Sequence, residues 1–243
     1  ERKGKKLIGL TPLGKNVMAE IATINQAKLN IQSMASDYLD SNRGTLHVAT
    51  THTQAKYFLP APIQRFREKY PGIRIYIVQA SPEQLIDQLH SHTADIAICT
   101  EKVDDDNKLI TRHCYEWNHA VIMPRGHPLS DGKLTPERLT AFPILTYSHG
   151  FTGRSAIEHA FQQCGLQLDI ILAAADTDVI KTYVHFNMGV GIIARMAYDS
   201  QVDADLVIRD LSHIIPKSIT KIAYLKQNYL PLYSQHFIEE LLI

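Results

Sequence analysis

An apolar strand that ends in small hydroxyl residues where a helix begins occurs twice in this chain, about a hundred residues apart. The first copy is Leu46-His47-Val48-Ala49-Thr50-Thr51-His52-Thr53-Gln54. The second is Ile144-Leu145-Thr146-Tyr147-Ser148-His149-Gly150-Phe151-Thr152-Gly153-Arg154-Ser155. A helix N-terminus turns unbonded N–H groups and the positive end of its dipole outward, and so receives an anion. Two such turns imply two half-domains facing one small ligand. A long solitary helix precedes them, so the whole reads as a ligand sensor on an oligomerising stem.

The stem starts at Thr11-Pro12, an N-cap followed by proline at the first helical position. Leu13, Val17, Ile21, Ile24, Ile31, Met34 and Tyr38 then recur at helical spacing, and no Pro or Gly follows Gly14 until Gly44. A helix over 12–40 would be about 42 Å long with a narrow apolar stripe, suited to pairing with another helix. The alternative is one helix packed on its own domain. Lys6–Leu10 reads as a short strand before it.

Strand and helix alternate after residue 44. Thr45–Thr51, Ile73–Ala80 and Asp95–Thr100 read as strands. Between them lie a helix over Thr53–Tyr70, kinked at Pro60 and Pro62, and one opened by the capping box Ser81-Pro82-Glu83-Gln84. A crossover strand near Leu109–Tyr115 leads to a second set. Its strands are Ala120–Met123, Ile144–Tyr147, Ile170–Ala175 and Gly191–Ile193, and its helices Pro136–Thr140, Ser155–Cys164 and Asp178–Asn187. Strands Leu206–Asp210 and Ile219–Leu225 and a helix Leu232–Leu242 close the chain. The pattern predicts an α/β protein of parallel βαβ units.

Composition narrows the function. Lys plus Arg and Asp plus Glu are 25 each, and this zero net charge supplies no general attraction to nucleic acid or anionic membrane. The basic run Glu1-Arg2-Lys3-Gly4-Lys5-Lys6 is either a solvated tail or the edge of a nucleic-acid-binding element. Cys99, Cys114 and Cys164 are odd in number and lack metal spacing, which argues against a disulfide framework or a zinc site. With no long apolar run and no signal peptide at its start, the expected location is cytoplasmic and no membrane partner is expected. Asp104-Asp105-Asp106-Asn107 lacks the spaced ligands of a calcium loop, and Gly189-Val190-Gly191 lacks the remaining glycines of a nucleotide fingerprint. No nucleophile motif appears, and the expectation is no enzyme, no metal and no catalytic residue.

Several landmarks, in order, resemble the LysR-type transcriptional regulators over essentially the whole chain. They are Leu10-Thr11-Pro12-Leu13-Gly14, Leu59-Pro60 through Phe66 to Tyr70-Pro71, Asp95-Ile96-Ala97-Ile98 and Gly189-Val190-Gly191-Ile192. Thr50–Ala55, Gly150–Ser155 and Asp178–Val184 resemble the cysteine-regulon branch in particular, with the sulfonate-utilisation regulators close beside it.

The resemblance implies two Rossmann-like half-domains with two crossovers, like type 2 periplasmic binding proteins, behind a long linker helix. It implies that 1–41 holds the last part of a DNA-binding wing plus the dimerisation helix. Residues 42–113 with 228–243 would form the first effector-binding half-domain, and 114–227 the second. The implied partners are promoter DNA, through a winged helix–turn–helix preceding residue 1, further copies of the chain as dimer or tetramer, and RNA polymerase. The implied ligand is no cofactor but a small effector, sulfate, thiosulfate or an acetylated serine, and the implied role is control of cysteine biosynthesis and sulfur assimilation.

Carried over residue by residue, the effector cleft comprises Thr51, Thr53 and Gln54 on the first turn, Thr100 after its strand, and Thr152 on the facing turn. Hydroxyls, an amide and helix N–H groups donate hydrogen bonds without burying a cation, which suits an anion that is already ionised. The alternative for any one Thr is a cap of its own helix, and Ser81 is such a cap first. Arg154 would either reinforce an anion site or sit at the surface; His52 and His149 would either bring pH dependence or be ordinary satisfied polar groups; Trp117 reads as structural. Two rival functions remain at this point. A solute-binding protein would share the fold but has no use for the stem; an enzyme would need an acid–base pair.

Overall fold

The structure is a computed structural model that describes residues 2–243 except 4, 5, 8, 41, 101, 102, 105 and 152. Two short strands, β1 (Arg2–Lys3) and β2 (Lys6–Leu7), pair antiparallel ahead of the stem helix α1 (Pro12–Asp40). The Thr11 hydroxyl accepts from Gly14 N at 3.0 Å, so the N-cap read from Thr11-Pro12 is in place.

The first sheet has the order β4-β3-β5-β12-β6. Its strands are β3 (Gly44–Thr50), β4 (Ile73–Gln79), β5 (Ile96–Thr100), β6 (Leu109–Trp117) and β12 (Ser218–Leu225). The second, in the order β11-β7-β10-β8-β9, uses β7 (His119–Pro124), β8 (Ile144–Tyr147), β9 (Ile170–Ala174), β10 (Val190–Ala194) and β11 (Leu206–Asp210). Helices α2 (Pro60–Lys69), α3 (Pro82–His90) and α7 (Leu232–Leu241) accompany the first sheet; α4 (Pro136–Leu139), α5 (Arg154–Gln163) and α6 (Thr177–His185) fall among the strands of the second. Each sheet carries its own apolar core, around Leu46, Phe66 and Phe237 in one and Ile122, Ile144 and Phe161 in the other.

Three features differ from the sequence reading. The pairing is mixed: β3 runs parallel to β4 and β5, but β12 lies antiparallel between β5 and β6. This pairing also puts 218–225 and the whole of 109–117 in the first sheet, whereas the boundaries at 113/114 and 227/228 split β6 and assign β12 to the second half. Ile222 opposite Ile98 and Ala223 opposite Ala97 bury β12 in the first sheet's cores, a long-range pairing that local sequence does not announce. Finally, the helix read over 53–70 is broken. Gln54–Phe58 form a π-helical turn in which Leu59 N bonds Gln54 O at 2.9 Å, and α2 restarts at Pro60, which has no N–H for the preceding turn.

The stem leaves much of its apolar stripe in solvent: Leu13, Ile24, Ile31 and Tyr38 are all exposed. Among the described residues, polar bonds dock α1 on the segment between β12 and α7. Asn30 accepts from Tyr229 N and donates to Gln227 O, each at 2.9 Å, and Asp37 accepts from Tyr229 Oη at 2.8 Å and Leu232 N at 2.9 Å. No helix among the described residues is long and apolar enough to cross a membrane.

Candidate functional site

The hydroxyl-bearing turns end β3 and β8, each the second strand from one edge of its sheet, and the two strands are tied in the same way. Thr50 Oγ1 donates to Ile98 O on the neighbouring β5, and Thr146 Oγ1 donates to Ile192 O on β10, each at 2.9 Å. Beyond these threonines the chain leaves the sheet, and Thr51, Thr53 and Gln54 meet Tyr147, Phe151, Ala175 and Ala194 of the other half, with Trp117, around one small pocket. The space holds about 10 Å³ for the centre of a water molecule, room for about one water.

Two hydrogen-bonded chains build its walls. In the first half, the Thr51 hydroxyl donates to Gln54 Oε1, and Gln54 Nε2 donates to Thr220 Oγ1 at 3.4 Å. Thr220 Oγ1 lies 3.1 Å from Thr100 Oγ1, which accepts from Trp117 Nε1 at 3.3 Å. The second chain crosses between the halves. Ala194 N donates to Tyr147 Oη at 2.9 Å, Tyr147 Oη lies 3.0 Å from Thr177 Oγ1, and Thr177 Oγ1 lies 3.2 Å from Thr53 Oγ1.

Of the residues named from sequence, Thr51, Thr53 and Gln54 line the pocket. Thr100 is fully buried and joins them through Thr220 and Trp117. Thr152 lies outside the described residues. Sequence reading passed over Thr177 and Thr220 and treated Trp117 as structural. Thr177 opens α6 and carried the signal of a hydroxyl at a helix start, but Thr220 is a mid-strand residue without any.

Among the described residues, the charged groups stay off the pocket walls. Arg154 is buried, not at the surface, and its guanidinium is spent on Glu158 Oε1 and Tyr147 O, both at 2.8 Å, and His149 Nε2 at 3.3 Å. Beside the pocket, Lys56 and Tyr57 reach from the π turn to the Asp178 carboxylate. Burial pushes the Asp178 pKa up, but hydrogen bonds from Lys56 and Tyr57 and the nearby Lys181 charge outweigh it and hold the group below the usual carboxylate range. The same burial and the Asp178 carboxylate push the Tyr57 phenol up. His119 lies against the Trp117 ring, fully buried, with neither ring nitrogen hydrogen-bonded among the described residues; burial lowers its pKa to about 4, so it is neutral near neutral pH. Cys99 is buried, its thiol pushed up to about 12. No group of His, Cys, Asp and Glu among the described residues is arranged to hold a metal ion.

The LysR substrate binding domain family matches residues 39–242. The chain belongs to this family. It is 42% identical over 239 residues to the HTH-type transcriptional regulator SsuR of Burkholderia cenocepacia, covering 98% of this chain and 78% of that one. It is also 42% identical over 240 residues to the HTH-type transcriptional regulator CysB of Haemophilus influenzae, covering 98% and 74%. The crystal structure of the cofactor-binding domain of the Cbl transcriptional regulator superposes with a TM-score of 0.79 at 36% identity, over 82% of this chain and 87% of that one. The relatives are regulators, not enzymes, and the paired sheets are those of a LysR effector-binding domain, a fold that takes small-molecule effectors.

Proposed function

We propose that this chain is the effector-sensing and oligomerising part of a cytoplasmic, DNA-binding regulator of sulfur assimilation, and that its effector is a small anion held between the two sheets. Support comes first from the pocket itself. Hydroxyls, an amide and aromatic rings line it, and no Asp, Glu, Lys or Arg does so among the described residues. With room for about one water as it stands, the pocket would admit such an anion only with the two halves further apart, and the anion would then be met by oriented dipoles, which avoid the desolvation cost of a buried cation. Thr51, Thr53, Gln54 and Thr100 would surround it on one side and Thr152 on the other. Sulfate, thiosulfate and acetylated serines are the ligands to test. Similar likeness to SsuR and CysB fits either a sulfonate-utilisation or a cysteine-biosynthesis regulator. Promoter DNA would be bound by a winged helix–turn–helix ahead of residue 1, with the stem pairing copies and RNA polymerase as the further partner.

Titration calorimetry with sulfate, thiosulfate, N-acetylserine and O-acetylserine tests the reading. Saturable binding that Thr100→Val weakens about tenfold, the order expected for one lost hydrogen bond to a charged group, supports it. Wild-type affinity in Thr100→Val and Thr53→Val for every ligand that binds counts against it.

A further inference from the structure

We infer that His119 is a positioning residue of the pocket: its Nε2 accepts from the backbone of the turn at Gly153 when the two halves part around an anion, and so fixes the turn that leads into α5. The inference rests on the anion-site reading above and adds to it a residue that does not touch the ligand.

His119 opens β7 and lies opposite Ala194 of β10. Directly opposed residues of an antiparallel pair point to the same face of the sheet. Ala194 lines the pocket, so the imidazole stands on the pocket side of the second sheet, behind the lining. It packs on the Trp117 ring with the centroids 4.7 Å apart. A Cβ on Gly153 would fall 2.6 Å from His119 Nε2, 3.4 Å from the Trp117 ring and 3.5 Å from the Tyr147 ring. Gly153 therefore sits in a cradle of three rings, and two of them, Trp117 and Tyr147, line the pocket. Only a residue without a side chain lets the turn come this close.

The imidazole in that cradle is short of partners. A neutral histidine carries one N–H and one lone pair. Among the described residues His119 pairs neither, although it is fully buried. Its polar neighbours are committed elsewhere: Trp117 Nε1 donates to Thr100, and Tyr147 Oη receives the Ala194 N–H and lies 3.0 Å from Thr177 Oγ1. Unpaired polar atoms in the interior cost stability, so a movement that pairs one of them is favoured.

Entry of an anion requires such a movement. The pocket has room for about one water, so its walls must separate. Any shift of Trp117 or Tyr147 reaches the Gly153 turn, which touches both. That turn carries the positive end of the α5 dipole and backbone N–H groups, and Gly153, the N-cap, has no side chain to receive them. The same positive end favours a lone pair on Nε2 and places the ring proton on Nδ1. A bond from the turn to Nε2 would offset part of the cost of parting the halves, and effector affinity would then depend on His119.

The test uses the whole chain with isotopically labelled histidine, and sulfate as the probe. His119→Gln identifies the His119 signals among those of the 12 histidines. In long-range proton–nitrogen correlation spectra near neutral pH, His119 should be neutral with its proton on Nδ1. Saturating sulfate should move the Nε2 resonance toward that of a hydrogen-bonded acceptor, a change that a merely structural role would not produce. In calorimetry, His119→Leu, which removes both nitrogens, should bind sulfate about fivefold more weakly, the order expected for one lost hydrogen bond. His119→Gln carries an amide oxygen that can accept in place of Nε2 and should bind within about twofold of wild type. If His119→Leu fails to fold, the wild-type spectra and His119→Gln still decide. A ring proton on Nε2, or an Nε2 resonance that saturating sulfate leaves in place, overturns the inference and leaves the anion site standing. No binding of sulfate overturns both.

Discussion

Lys56 Nζ and Asp178 Oδ2 stand 2.6 Å apart, and this contact ties the turn after β3 in the first sheet to the first turn of α6 in the second half. Tyr57 Oη bonds the other oxygen of the same carboxylate at 2.6 Å. Lys56 and Tyr57 follow Thr53 in that turn, and Asp178 follows Thr177 in α6. Two halves that close on a ligand hold it only through a difference in free energy between open and closed forms.

Asp178→Asn keeps the shape and removes the charge. Lys56 is more than half exposed, so water screens its share. We expect a loss on the order of 1 kcal/mol, or about fivefold in effector affinity. The pH dependence has a definite sign. The folded Asp178 pKa lies below its unfolded value, so its contribution is complete above the ordinary carboxylate range and is lost as pH falls through the folded pKa. Thermal melts from about pH 7 to about pH 3 should therefore show a steeper fall for wild type than for Asp178→Asn. Parallel curves would remove the latch from the account.

Lys181 and Asp203 form the buried counterpart of that latch. Their charged atoms are 3.0 Å apart, both side chains are almost wholly covered, and Lys181 also donates to Ala197 O at 2.9 Å. Removing one partner strands the other charge in the interior. Lys181→Met alone should cost about 3–5 kcal/mol, and Lys181→Met with Asp203→Leu should recover part of it. Urea denaturation of the three proteins measures both quantities; a single variant as stable as wild type would show that water reaches the pair.

Gly153 and Gly150 separate backbone strain from collision. Both lie at positive φ, +96° and +81°. A Cβ on Gly153 would fall 2.6 Å from His119 Nε2, while one on Gly150 would meet nothing within 4 Å. Gly150→Ala should lose only the backbone cost, about 1 kcal/mol, and Gly153→Ala clearly more, with the melting temperature as the readout. Equal losses would mean that His119 yields.

The punctuation of the chain was legible in its sequence because caps and breakers act locally. Thr11-Pro12 opens α1, and Ser81 and Gln84 make the reciprocal cap of α3. What was not legible depends on residues far apart in the chain. Thr220 meets Thr100 across 120 positions, and only the antiparallel insertion of β12 beside β5 brings them together. Trp117 was visible as a lone indole, but its N–H partner follows from the same sheet order. Three of the five named site residues line the pocket because they share one turn, where the sequence itself fixes their proximity.

The stem supplies the last expectation. Its 29 residues span about 42 Å, yet Ile24 and Ile31 are each about two-thirds exposed, while Asn30 and Asp37 hold the helix on the segment 227–232. Burying such an isoleucine against a second copy is worth roughly 1.5–3 kcal/mol. Glutamate there forfeits that gain and brings a charge into the contact. Ile24→Glu with Ile31→Glu should therefore weaken self-association by at least about tenfold in sedimentation velocity, with the melting of the two-sheet body and its effector affinity unchanged, because neither side chain packs in those cores. An assembly that sediments as wild type would place the contact between copies on the sheets and helices beyond residue 44, and leave the stem stripe without a role in pairing.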